Sequence, residues 1–216
     1  LVQVLKEDIR ARILKAGRAE FLEHDFQTAN MRAIAKRAGC GLSNLYNYFK
    51  SKDALFEALV EPTMLDFYRV IEAARERLPE EGAVVLTFEQ ERLHFTVALE
   101  FLRDHREDVM LLVLKSEGSA AYYWREAAIQ TYETVWFNYI DYLRRNFPEE
   151  RGYVISEFFV HNISRFYFNT LVEFLKQDLS YEQMREYVEE LLRYAHGGIK
   201  ALLLEHRAEI GAESPQ

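Results

Sequence analysis

Apolar side chains recur at three- and four-residue intervals along most of this chain, and only nine glycines and four prolines interrupt 216 residues. Few turn-formers combined with a helical period leave long helices as the regular structure open to it. Ile155, Phe158, Phe159, Asn162, Ile163, Phe166, Tyr167, Thr170, Leu171 and Phe174 keep the pattern closely, and so do Val188, Leu191, Leu192, Ala195, Gly198, Ile199, Leu202 and Leu203. Trp124, Ala128, Tyr132, Val135, Trp136, Tyr139 and Leu143 mark another helix, ending near Phe147-Pro148, and Phe88, Phe95, Leu99 and Leu102 one more. The unbroken run Val109–Leu114 would suit a buried strand equally well. With no partner strand in the rest of the chain, it is read as helix, and the fold class as all-α.

Several function classes drop out on composition. The chain is 49% hydrophobic and 14% aromatic, too apolar for a disordered segment, and it is long enough to bury a sizeable core. No apolar run approaches the length of a membrane span, and no signal-peptide pattern precedes the first helix, so a cytoplasmic location without membrane association is expected. Cys40 is the lone cysteine, and the six histidines are scattered without ligand spacing; no metal and no cofactor are expected. No nucleophile–base pair or phosphate loop stands out, so the chain is not read as an enzyme. The net charge of −8 is unevenly spread. Residues 1–55 hold ten basic and six acidic residues, +4, against 17 basic and 29 acidic in the rest, −12. A basic head on an acidic body is the layout of a nucleic-acid binder whose second part does something else.

The head is organised accordingly. An amphipathic helix over 4–23 is followed by a turn at Glu23-His24-Asp25. Asn30 then stands where an N-cap belongs, ahead of Met31, Ile34, Ala35 and Ala38, and Gly39-Cys40-Gly41 makes a tight connection. A second short helix carries Leu42 to Phe49, Ser51 caps the next, and Pro62 is expected to kink or interrupt it. Two short helices joined by a glycine turn suit a helix-turn-helix, whose second helix enters the major groove. Leu42, Ser43, Asn44 and Asn47 face outward in this reading, with Leu45 and Phe49 inward. Asn can bond N6 and N7 of adenine together, Ser can address several bases, and Leu42 suits a thymine methyl. Tyr46, Tyr48, Lys50 and Lys52 supply hydroxyls and charge for phosphate oxygens.

The runs Met31-Arg32-Ala33-Ile34-Ala35-Lys36-Arg37-Ala38-Gly39 and Leu45-Tyr46-Asn47-Tyr48-Phe49-Lys50-Ser51-Lys52-Asp53-Ala54-Leu55 resemble the DNA-binding signature of the TetR family of transcriptional regulators. Cys40-Gly41 departs from that family's usual Val-Ser, Ser43 from its Gly, and Asn30 from its capping Thr. The resemblance implies an N-terminal three-helix helix-turn-helix DNA-binding domain over 1–55, reaching DNA through Asn30, Arg32, Leu42, Ser43, Asn44, Tyr46, Asn47, Tyr48 and Lys52. It further implies a C-terminal helical domain over 56–210 for effector binding and dimerisation, with 211–216 a frayed tail.

In such a protein the helices at roughly 153–176 and 181–206 pair with their symmetry mates, which puts Phe174, Leu191, Ala195, Gly198, Ile199 and Leu202 in a homodimer interface. Gly197-Gly198 would let two backbones approach closely; a plain kink is the other reading. The implied cavity for a small-molecule effector draws on Trp124, Trp136, Tyr139, Phe158, Phe159 and Phe166, with His161 and Asn162 as polar anchors, although any one ring could equally be core. The expected partners are double-stranded operator DNA, an effector of hydrophobic or aromatic character, and a second copy of the chain. An all-α carrier or enzyme with a vestigial head, and an activator without effector, are the rival readings.

Overall fold

The computed structural model describes residues 2–75, 88–146 and 155–202, and every regular element among them is helical. The helices are α1 (Val2–Thr28), α2 (Met31–Arg37), α3 (Leu42–Tyr48), α4 (Lys52–Arg75), α5 (Phe88–Asp104), α6 (Arg106–Leu114), α7 (Trp124–Asn146), α8 (Glu157–Lys176) and α9 (Tyr181–Lys200), with a 3₁₀ turn at Ala120–Tyr123. The run Val109–Leu114 is thus helical, its Val109, Leu111 and Leu112 buried. The tail from Gly211 and the end near Phe147-Pro148 lie outside the described residues.

Two compact units divide the chain: Leu1–Phe67 with His105–Ala127, and Tyr68–Asp104 with Ala128–Gln216. In the first, α1 breaks at Asp25, whose φ of 60° is left-handed, and whose carboxylate accepts from the Thr28 amide at 3.0 Å. Phe26 then turns inward, its amide donating to the Lys115 carbonyl at 2.8 Å. Phe21, Phe26 and Phe56 form one ring cluster, Phe56 lying edge-on to the other two at 5.0 and 5.3 Å. Ile13, Ile34, Leu45, Leu55, Leu59 and Val60 close the core around it. Asp108 of α6 pairs with Arg18 of α1 and accepts from the Thr63 hydroxyl of α4 at 3.2 Å, so one carboxylate joins three helices. Pro62 does not interrupt α4, which continues as helix to Arg75. A proline removes one amide donor, and here Pro62 sits exposed on a helix whose other side is well buried.

The second unit is built from α5, most of α7, α8 and α9. Ser156 caps α8 by accepting from the Phe159 amide, and Ser180 with Gln183 forms a reciprocal capping box on α9. α5 packs along α9. Leu99, Leu102, Ile129, Ile140, Leu143, Val160, Val172 and Leu192 are its buried aliphatic centre.

Candidate nucleic-acid interface and effector region

The helix-turn-helix is fixed by backbone chemistry at each joint. The Asn30 side-chain oxygen accepts from the Arg32 amide at 2.8 Å, and the Asn30 amide donates to buried Glu20 at 3.1 Å. Asn30 is therefore committed as the cap of α2. Gly39 ends that helix with φ +66°, a conformation that favours glycine, and the Cys40 amide reaches back to Ala35 at 3.0 Å. Gly41 offers no side-chain cap to α3. Leu45 and Phe49 are buried, which turns Ser43, Tyr46 and Asn47 to solvent on one face of α3, with Leu42, Asn44 and Tyr48 half-buried beside them. Arg32, Lys36 and Lys50 are exposed, whereas Arg37 is held by Glu23 at 2.9 Å.

Lys52, expected from sequence at a phosphate, has intramolecular partners. Its ammonium donates to the carbonyls of Gln27 and Ala29 at 3.0 and 3.2 Å and lies 4.7 Å from the centre of the Phe26 ring. It ties the start of α4 to the end of α1. Sequence showed a lysine at a helix start; that its charge would be drawn to two carbonyls depends on the chain folding back.

Of the eight residues expected in an effector cavity, Trp124 belongs to the first unit and the other seven to the second. Trp124 is buried in the first unit, edge-on to Phe67 at 5.1 Å. Phe158 is 77% exposed and Phe166 also faces solvent, and the Asn162 amide donates to the Phe158 carbonyl on its own helix. These three form one stripe of α8, opposite the buried Val160, Ser164 and Phe168. His161 donates from Nδ1 to Glu133 at 2.8 Å and accepts at Nε2 from Arg165, also at 2.8 Å, leaving both ring nitrogens occupied. Trp136, Tyr139 and Phe159 are half-buried, and Trp136 lies edge-on to Tyr139.

The residues expected at a dimer face divide between core and surface. Phe174, Leu191 and Ala195 are buried within their own chain, Phe174 against Tyr187 at 5.5 Å. Gly198 and Leu202 are exposed and Ile199 is half-buried. Tyr187 and Tyr194, the latter 74% exposed, share the solvent side of α9 with them.

Sequence reasoning missed the polar centre of the second unit. Glu91 of α5 is buried, with Oε2 3.1 Å from His196 Nδ1 of α9, and burial raises its carboxyl above the usual range despite the opposing pull of His196. Burial likewise pushes the Tyr132 hydroxyl up to about 12 and the Tyr167 hydroxyl higher still, so both remain O–H donors. A signal was available: Glu91 interrupts the apolar stripe Phe88, Phe95, Leu99, Leu102 at helical spacing.

A short capped helix, a left-handed glycine turn and a second helix with a polar outer face braced by two buried side chains define a helix-turn-helix DNA-binding head. Residues 13–59 match the family described as bacterial regulatory proteins, tetR family, so the head is similar to that family's DNA-binding part. The chain is 38% identical over 81 residues to the HTH-type transcriptional regulator UidR of Escherichia coli (strain K12), covering 38% of this chain and 39% of UidR; the match to the UidR of Shigella flexneri has the same extent. The matched region therefore spans well under half of those relatives. Among solved structures, a transcriptional regulator of Aquifex aeolicus VF5 superposes with a TM-score of 0.58 at 21% identity, over 87% of this chain and 99% of that one. A TetR-like regulator of Rhodococcus sp. RHA1 does so with the same TM-score at 18% identity, over 88% and 96%. These likenesses carry the all-α fold, with its N-terminal helix-turn-helix and helical C-terminal part, across nearly the whole chain.

Proposed function

We propose that the protein is a ligand-responsive transcriptional repressor of the cytoplasm. It binds a palindromic operator as a homodimer and is released by a small effector held in the helical second unit. The observation that carries this reading is the outer face of α3, where Ser43, Tyr46 and Asn47 stand together over buried Leu45 and Phe49. Asn47 is placed to read an adenine edge, and exposed Arg32, Lys36 and Lys50 supply charge for the phosphates. Dimerisation is supported by the apolar groups left on the solvent sides of α8 and α9, namely Phe158, Phe166, Tyr187, Tyr194 and Leu202. Two-fold protein symmetry selects two-fold DNA. Selection of bound duplexes from a random pool, followed by gel shift, tests the reading directly. A recovered inverted repeat, bound by dimers, is the expected outcome; binding that is indifferent to sequence would overturn it.

A further inference from the structure

Several basic side chains of the head are engaged inside it. Arg12 pairs with Asp8 at 3.2 Å, Arg18 with Asp108, Arg37 with Glu23 and Lys52 with two carbonyls. Arg10 is different. It is exposed on α1, and among the described residues no acid pairs with it. Its guanidinium lies instead over the Phe49 ring, 5.5 Å from the centroid. Phe49 is the C-cap of α3, its amide donating to the Leu45 carbonyl at 3.0 Å, and at 5% exposure it belongs to the core. The ring is thus a fixed platform, with half-buried Tyr48 and exposed Lys50 on either side of it in sequence. Arg12 stands at the opposite end of α3, beside the turn that precedes it: a Cβ at Gly39 would lie 3.4 Å from its Nη1. So α1 lays one arginine beside each end of α3. Asp8 neutralises the first, and the second keeps its charge.

We propose that Arg10 is a DNA-backbone contact, its guanidinium gripping a phosphate beside the groove that α3 enters, with Phe49 the positioning residue that holds it there. The inference rests on the reading of the head as an operator binder, and it adds a contact from a helix to which the sequence gave no DNA role. An aromatic face attracts the cation but offers it no oxygen, so the guanidinium donors remain for an acceptor. A phosphate can take two of them at once, which an ammonium cannot match. Holding a long side chain in place before DNA arrives also reduces the entropy lost on binding. Phosphate contacts fix the register of a recognition helix on the duplex. Arg10 and Lys50 would do so together at the C-terminal end of α3, as Arg32 and Lys36 do from α2. If Arg10 were only a charge on the surface, it would behave like Arg12, which is exposed on the same helix.

Binding of the full chain to two labelled duplexes, followed by anisotropy across a salt series, tests this. One duplex is the sequence recovered by selection, the other a scrambled sequence of equal length and composition. Arg10→Ala should weaken both alike, by about tenfold, and flatten the salt dependence by about one unit of slope per head. Arg12→Ala removes the same charge from the same helix and should stay within about twofold of wild type. Arg10→Lys should keep the slope but recover only part of the affinity. Phe49→Leu should weaken binding in the wild type and not in the Arg10→Ala background; a general loosening of the head would weaken both. The proposal is overturned if Arg10→Ala binds as wild type, if Arg12→Ala loses as much, or if the loss falls on the selected duplex alone, which would make Arg10 a base reader. A wild type that binds neither duplex sinks the regulator reading and this inference together. Wild-type binding that ignores sequence, with Arg10→Ala weaker, sinks the operator reading alone, and sequence-selective binding that Arg10→Ala leaves intact sinks this inference alone.

Discussion

Lys52 and Lys50 are two residues apart, and the fold gives them different work. Lys52 is tied to the carbonyls of Gln27 and Ala29, while Lys50 is exposed beyond the end of α3. Lys52→Ala should therefore lower stability by about 2 kcal/mol, the scale of a charged hydrogen bond, read as a depressed melting temperature. Lys50→Ala should leave the melt unchanged and flatten the salt dependence of operator binding by about one unit of slope. The reverse assignment of the two phenotypes would show that Lys52 is a phosphate contact after all. Asn47→Ala should relax preference at one base position by about 1–3 kcal/mol, measured by competition among operator variants. Glu91 adds a pH signature. Its carboxyl binds a proton more tightly folded than at the ordinary value of 4.5, so its contribution is fully present below that value and is lost as pH rises through the raised one. Glu91→Gln should accordingly melt higher than wild type at neutral pH, and the two curves should converge in acid.

At the scale of elements, the head was legible where local chemistry is sufficient. An Asn before an apolar-periodic run, a Gly after it and a Ser before the next are signals that act within four residues, and Asn30, Gly39 and Ser51 cap or close helices as such residues do. Less legible was how closely helices approach. At Gly17 a Cβ would come within 3.2 Å of Leu55 Cδ2, so α1 and α4 pack nearly backbone to side chain there. Gly17→Val should destabilise the head by about 1–3 kcal/mol through overpacking, seen as an earlier thermal transition; an unchanged melt would mean that Leu55 simply moves aside. The two sides of α8 were also indistinct in sequence. Phe158, Asn162 and Phe166 alternate with Val160, Ser164 and Phe168, and both stripes carry apolar side chains beside a polar one. Periodicity reports that a helix has an apolar side, but with apolar groups on both sides it cannot say which one meets the core.

For the whole molecule, that ambiguity bears on assembly. A dimer face has to be apolar and outside the protomer's own core, which Tyr194 satisfies and Leu191 does not. Tyr194→Asp should yield folded monomers in sedimentation with operator affinity largely lost, since both heads must dock together. Leu191→Asp should instead lower the melting temperature sharply, because a charge would be buried in the protomer's interior. Dimers persisting in Tyr194→Asp would place the interface elsewhere.

Sequence alone determined the all-α class and the caps and turn of the head, because each depends on groups within a turn or two of one another. Tertiary structure decided the rest. It tied Lys52 to two carbonyls, set Trp124 edge-on to Phe67, turned Phe174 inward and Tyr194 outward, and brought Glu91 of α5 against His196 of α9. Those outcomes depend on which helical faces meet. Such meetings are set by packing between residues tens of positions apart, for which a single sequence carries no local signal.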